Sequence, residues 1–236
     1  MNRIIQISLV LISLLISQSV AKAADGNPGK IGKILFLGNS ITHHGPSVKV
    51  DWTGNWGMAA SAEEKDYVHL VLHSISETTG KAPEALIENI VEFERNYATY
   101  DMMEKRKNIF AFKADVVVLA IGENVASLKT DESKAIFKSS LVKLLRALKA
   151  NNNPTILVRS CFWAEPAKDA ALKQACQEVS GVYVDISTLG KDKSNYARAE
   201  REFKNAGVAN HPGDKGMQAI ATALIETMKN CKLLTR

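Results

Sequence analysis

"ILFLGNSITHHGP", residues 34–46, is the stretch on which the fold turns. Ile34–Leu37 is apolar without alternation, the pattern of a strand buried on both faces. It stops on Gly38. A small polar triplet, Gly38-Asn39-Ser40, then precedes two adjacent histidines, His43 and His44. A strand that ends this way either enters an ordinary turn with a serine N-cap or aims a serine hydroxyl outward from a tight bend. Working outward, Val116–Ile121 and Thr155–Val158 share its character, with a weaker fourth run at Val182–Ile186. Between them, Trp56–Thr79, Ser133–Lys149, Ala167–Val179 and Gly216–Lys229 place apolar residues at helical intervals. Pro83–Phe112 reads less clearly: Ala85–Ile90 fits a strand, and Phe93–Asn108 fits a helix or a long loop. Strands alternating with helices predict an α/β domain, a central parallel sheet with helices on both faces. Ligands in such sheets bind beyond the carboxyl ends of the strands. Ser40, Gly122-Glu123-Asn124 and Ser160–Trp163 are therefore expected on one edge.

The 236 residues suffice for one such domain. The first 23 are not part of it. Arg3 precedes an apolar run, Ile4–Ile16, and Ala21-Lys22-Ala23 is an A-x-A cleavage pattern, so residues 1–23 read as a signal peptide and 24–236 as the mature domain. The apolar run is short for a membrane span, and no cysteine at the cleavage position signals lipid attachment. An exported protein, periplasmic or secreted, without stable membrane insertion is the expectation. Losing Arg3 and Lys22 takes the net charge from +5 to +3, with basic and acidic residues interspersed. No Lys/Arg stripe with interleaved aromatics suggests nucleic-acid binding. Three cysteines, Cys161, Cys176 and Cys231, permit at most one disulfide and stand at no metal-ligand spacing. Nothing in the sequence indicates an oligomeric state.

A serine nucleophile needs a base within hydrogen-bond reach and donors for the oxyanion it creates. Of five histidines, His69 and His73 lie four apart on a predicted helix but without an H-E-x-x-H pattern, and fit packed or surface positions. His211 differs. It sits in "VANHPGDKGMQAIA" (208–221), where Pro212 and Gly213 fix a turn before the last amphipathic helix.

Taken together these blocks resemble the SGNH (GDSL-type) hydrolases. Gly38-Asn39-Ser40-Ile41-Thr42 resembles their nucleophile block, with Asn where Asp is commoner. Gly57 in "GNWGMAAS" is similar to the second-block glycine, Gly122-Glu123-Asn124 to the G-x-N block, and His211 to the last-block base. The resemblance runs from Lys33 to about Met228. It implies a flavodoxin-like three-layer sandwich and an esterase with Ser40 and His211 catalytic. Ser40, Gly57 and Asn124 would form the oxyanion hole, and no metal or organic cofactor is implied. One position departs: the family's Asp three residues before the histidine is Val208. Either a Ser40–His211 dyad works with a backbone carbonyl as orienter, or a distant carboxylate substitutes, with Glu123, Glu165 and Asp185 placed by topology. Exported enzymes of this resemblance often deacetylate polysaccharides, so a carbohydrate O-acetylesterase acting on a small-molecule or polysaccharide ester is the leading expectation. His43, Trp56, Glu123 and Trp163 are the expected substrate contacts. A lysophospholipase or thioesterase, a carbohydrate-binding pseudoenzyme and an acyltransferase are the alternatives.

Overall fold

The computed structural model describes residues 31–235. The expected signal peptide and cleavage site lie outside the described residues. Five parallel strands, β1 (Lys33–Gly38), β2 (Glu84–Asn89), β3 (Val116–Ala120), β4 (Thr155–Arg159) and β5 (Val182–Val184), form one sheet in the order β2-β1-β3-β4-β5. This is the flavodoxin-like order. Gly38 pairs with Asn89 on one side and Ala120 on the other, so three strands end level and deliver their following residues to one edge.

Each strand divides its side chains between two cores, which is why the runs look continuously apolar. Leu35, Leu37, Val117, Leu119, Ile156 and Val158 face α5 (Asp131–Asn152) and α6 (Pro166–Glu178). Ile34, Phe36, Val116, Val118 and Leu157 face α1 (Tyr67–Thr79) and α8 (Asp214–Asn230). The result is a three-layer α/β sandwich. Its helices carry legible stops: Thr130 and Ser133 form a capping box on α5, and Glu165 with Pro166 opens α6.

One expectation needs correction, and one open stretch is settled. Helix over Trp56–Thr79 begins only at Tyr67; Asp66 caps it, accepting from the His69 N–H at 2.8 Å. Residues 56–66 are a loop with one 3₁₀ turn at Glu63–Lys65. Met58, Ala59 and Ala60 are buried as a loop against the domain, and Ala59 at φ 73° has a backbone no right-handed helix contains. The stretch from Pro83 to Phe112 resolves into β2 followed by three short helices, α2 (Val91–Asn96), α3 (Met102–Lys105) and α4 (Lys107–Ala111). The three cysteines are free, Cys161 and Cys176 being buried. No helix among the described residues is long and apolar enough to cross a membrane.

Candidate active site

The bend after β1 is set by sterics. A Cβ on Gly38 would lie 1.7 Å from Thr42 Oγ1, so only glycine lets the chain fold back over itself. The Thr42 and His43 N–H groups both donate to the Asn39 carbonyl at 2.9 and 3.0 Å, closing one helical turn. Ser40 sits on that turn, and its carbonyl accepts from the Met58 N–H at 2.8 Å.

His211 reaches Ser40 from the far end of the chain. It follows α7 (Ala206–Ala209), whose cap Asn205 accepts from the Gly207 and Val208 N–H groups. The loop is pinned because the His211 carbonyl accepts from Ala197 N–H and the Asn195 carbonyl from Gly213 N–H, each at 2.9 Å. Ser40 Oγ lies 2.8 Å from His211 Nε2, and His211 Nδ1 lies 2.8 Å from the Gly207 carbonyl. A carbonyl only accepts, so Nδ1 carries the proton and the Nε2 lone pair is left to accept from the Ser40 hydroxyl. Burial pushes the His211 imidazole below the ordinary histidine value, against the opposing pull of the Gly207 bond. Trp163 packs edge-on against the ring, centroids 5.4 Å apart.

The distant carboxylates raised by topology do not reach the imidazole. Glu123 is ion-paired to Arg159, Glu165 caps α6 through Lys168 N–H, and Asp185 accepts from Ser187 N–H and Ser160 Oγ. Val208 is buried with Trp52, Met58, Ala59 and Ala197, and has no polar role.

Beneath the serine lies a charged network. Asn39, fully buried, donates from its one amide to Glu94 Oε1 at 3.1 Å and to Glu123 Oε2 at 2.7 Å. Glu94 also accepts from the Gly122 and Asn124 N–H groups and, at 2.8 Å, from the Asn124 side-chain amide. Gly122 is held at φ 126°, a conformation that favours glycine. Glu123 Oε1 meets Arg159 Nη1 at 2.7 Å and the Phe162 N–H at 2.9 Å. Burial raises the Glu94 carboxyl, with the Glu123 charge adding to it. Burial would raise Glu123 too, but the Arg159 guanidinium, the Phe162 N–H and the Asn39 amide together outweigh it and hold Glu123 below the usual carboxylate range.

Ser40, Asn124 and His211 line one pocket of about 310 Å³, together with His44, Asn89, Arg95, Asn205 and a few apolar side chains. The Asn124 amide gives one hydrogen to Glu94 and keeps a second, and no acceptor for the Ser40 N–H is found among the described residues. Gly57 is not brought to this point: its N–H donates to Asp66 Oδ2 at 2.9 Å, so the expected third oxyanion donor is already spent. Glu123 is no substrate contact either, its side chain being 2% exposed. His44, not His43, lines the pocket. Trp56 lies in a neighbouring groove of about 400 Å³ with Trp52 and Phe203, and Trp163 supports His211 rather than lining the pocket.

Sequence reasoning missed Glu94, Arg159 and Arg95. The signal for Glu94 and Arg95 was the edge rule itself, since both follow the carboxyl end of β2. For Arg159 it was a lone arginine closing the apolar run "TILVR".

No protein-family description matches the chain, and no curated protein does. Solved structures do. A GDSL-like lipase from Bacteroides uniformis superposes at TM-score 0.53 with 12% identity, over 85% of this chain and 96% of that one. A two-domain esterase active on acetylated mannans, co-crystallised with mannopentaose, gives 0.58 with 16% identity, over 85% of this chain and 50% of that one. A family two carbohydrate esterase from Cellvibrio japonicus gives 0.51 with 17% identity, over 85% and 61%. The chain thus spans about half the length of the mannan esterase it resembles. The fold is the one shared by GDSL-like lipases and carbohydrate esterases.

Proposed function

We propose that this chain is an exported serine esterase that forms an acyl-enzyme and acts as an O-acetylesterase on carbohydrate esters. The observation that carries the reading is the Ser40 Oγ–His211 Nε2 contact at 2.8 Å, with the opposite ring nitrogen on a backbone carbonyl. Ser40 Oγ attacks the ester carbonyl as its proton passes to His211 Nε2. The oxyanion is held by the Ser40 N–H and the Asn124 amide. The imidazolium then protonates the departing sugar alcohol. Water repeats the sequence on the acyl-enzyme and releases the acid. In this reading the Gly207 carbonyl does the orienting that a triad carboxylate does elsewhere; it fixes the tautomer but brings no negative charge to the imidazolium.

Three things support a short acyl group on a sugar. The pocket is small and open. Its wall continues through Asn205 and Val208 into the groove where Trp52, Trp56 and Phe203 give apolar surface beside polar groups, as sugar faces require. Carbohydrate esterases also recur among the structural neighbours. Export rests on Arg3, Ile4–Ile16 and Ala21-Lys22-Ala23. The test is turnover of p-nitrophenyl acetate against the octanoate, followed by acetate release from acetylated oligosaccharides. Faster acetate turnover with acetate release from glycans is expected. A clear preference for octanoate would replace this reading with a lysophospholipase or thioesterase.

A further inference from the structure

The ionisable groups around the pocket are all of one kind. Arg95, His44 and His211 line it, and among the described residues no aspartate or glutamate does. Arg95 stands on α2, exposed, and takes part in none of the ion pairs found among the described residues. The acids nearest to it in sequence are committed elsewhere. Glu92 pairs with Arg106 at 3.1 Å, and Glu94 points inward to Gly122 and Asn124. Glu88, on the strand before, is held by Arg106 and Asn108. The adjoining aromatic groove is different. There Asp51 and Glu202 accompany Arg201 and Lys204, and Lys204 meets Asp51 at 3.7 Å. An arginine with no acidic side chain lining the same space is a property of the reacting pocket, not of the whole cleft.

We propose that the sugar bearing the acyl group also bears a carboxylate, and that Arg95 binds it. The inference rests on the esterase reading of Ser40 and His211. Because Arg95 shares the pocket with the nucleophile, the charge it recognises belongs to the esterified residue itself and not to a distant part of a polymer. A guanidinium presents a planar fork that matches a carboxylate with two parallel hydrogen bonds. His44 adds to the selection. Its Nδ1 donates to the Gly45 carbonyl at 2.6 Å, which leaves Nε2 as an acceptor for a sugar hydroxyl. The substrate class is therefore an O-acetylated uronic acid glycoside or oligosaccharide.

The experiment compares an acetylated uronic acid glycoside with the same sugar whose carboxyl is a primary amide, and with a sulfated analogue. Hydrolysis is measured with the unmodified protein and Arg95→Gln, and binding is measured with Ser40→Ala. The carboxylate sugar is expected to exceed the amide at least tenfold in kcat/KM and in affinity. That ratio should fall toward one in Arg95→Gln, with part of it restored in Arg95→Lys, and added salt should shrink it. Equal handling of carboxylate and amide, or a preference that survives Arg95→Gln, overturns the inference. So does tighter binding of the sulfated sugar. Turnover of p-nitrophenyl acetate by the same preparation separates the two levels. If it proceeds while the sugars are not distinguished, only the carboxylate assignment fails. If it is absent from folded protein, the esterase reading fails, and binding to Ser40→Ala alone decides whether Arg95 selects carboxylates.

Discussion

Asn39 makes the case for reading this site one atom at a time. Its amide places a hydrogen on each of two buried carboxylates, Glu94 and Glu123, directly behind the nucleophile. Aspartate, the commoner residue of the resembling block, would set a third carboxylate between them and remove both donors. Asn39→Asp should cost about 3 kcal/mol of stability or more, the scale of a broken buried polar network, measurable by urea unfolding. In the proposed mechanism the same carboxylates serve the chemistry. Glu94 orients Asn124, and Asn124 is the side-chain donor available to an oxyanion. Asn124→Ala should lower kcat about 10²–10³-fold, as loss of one such donor does. Glu94→Gln should lower kcat by about tenfold with little change in KM, since it disturbs the donor's position rather than ground-state binding. Steady-state kinetics on p-nitrophenyl acetate checks both. The base carries a sign of its own. Burial depresses the His211 imidazole, so the neutral, active form persists below the ordinary histidine value of 6.5. The acid limb of kcat/KM should have its midpoint below pH 6.5, with a plateau through neutrality. A midpoint above 6.5 would mean the imidazolium is stabilised in a way this geometry does not provide.

At the scale of elements, α7 sets a backbone carbonyl against the imidazole of the proposed dyad. Asn205 starts it, and its Gly207 carbonyl meets the imidazole of His211 four residues later. Val208 points into an apolar cluster with Trp52, Met58, Ala59 and Ala197. Placing there the aspartate of the resembling family should not create a triad. Val208→Asp is expected to lose about 3 kcal/mol through an uncompensated buried charge and to gain nothing in kcat; a tenfold rise in kcat would contradict this. The elements also differ in how plainly the sequence announced them. β1, β3 and β4 were legible because both faces are buried and the runs are unbroken. β2 was less plain, fitting a strand at Ala85–Ile90 without announcing one, because it is an edge strand, half-exposed along its length, and carries Glu84 and Glu88. Residues 56–66 imitated a helix because a buried loop also spaces its apolar residues. Capping chemistry at Asp66, rather than periodicity, marked the true start of α1.

For the whole molecule, the level strand ends and the loop before α8 bring together residues as far apart as Ser40 and His211. Ser40, Asn124 and His211 were legible because each sits on a turn with its own local grammar: a strand ending on glycine, a G-x-N bend, a histidine before proline and a helix. The Glu94–Asn39–Glu123–Arg159 network and the Arg95 rim were not. They arise only when four strand ends meet, and no single stretch of sequence carries them. Gly57 misled for the complementary reason: its neighbourhood has the right letters, but its N–H is turned to Asp66. The central claim is that this convergence activates Ser40. The most direct test treats the folded protein and its His211→Ala variant with a fluorophosphonate probe and locates the adduct by peptide mass spectrometry. Stoichiometric modification of Ser40 in the unmodified protein, with labelling lost in His211→Ala, is the expected result. Folded protein that stays unlabelled, or that carries the adduct on another residue, would contradict it.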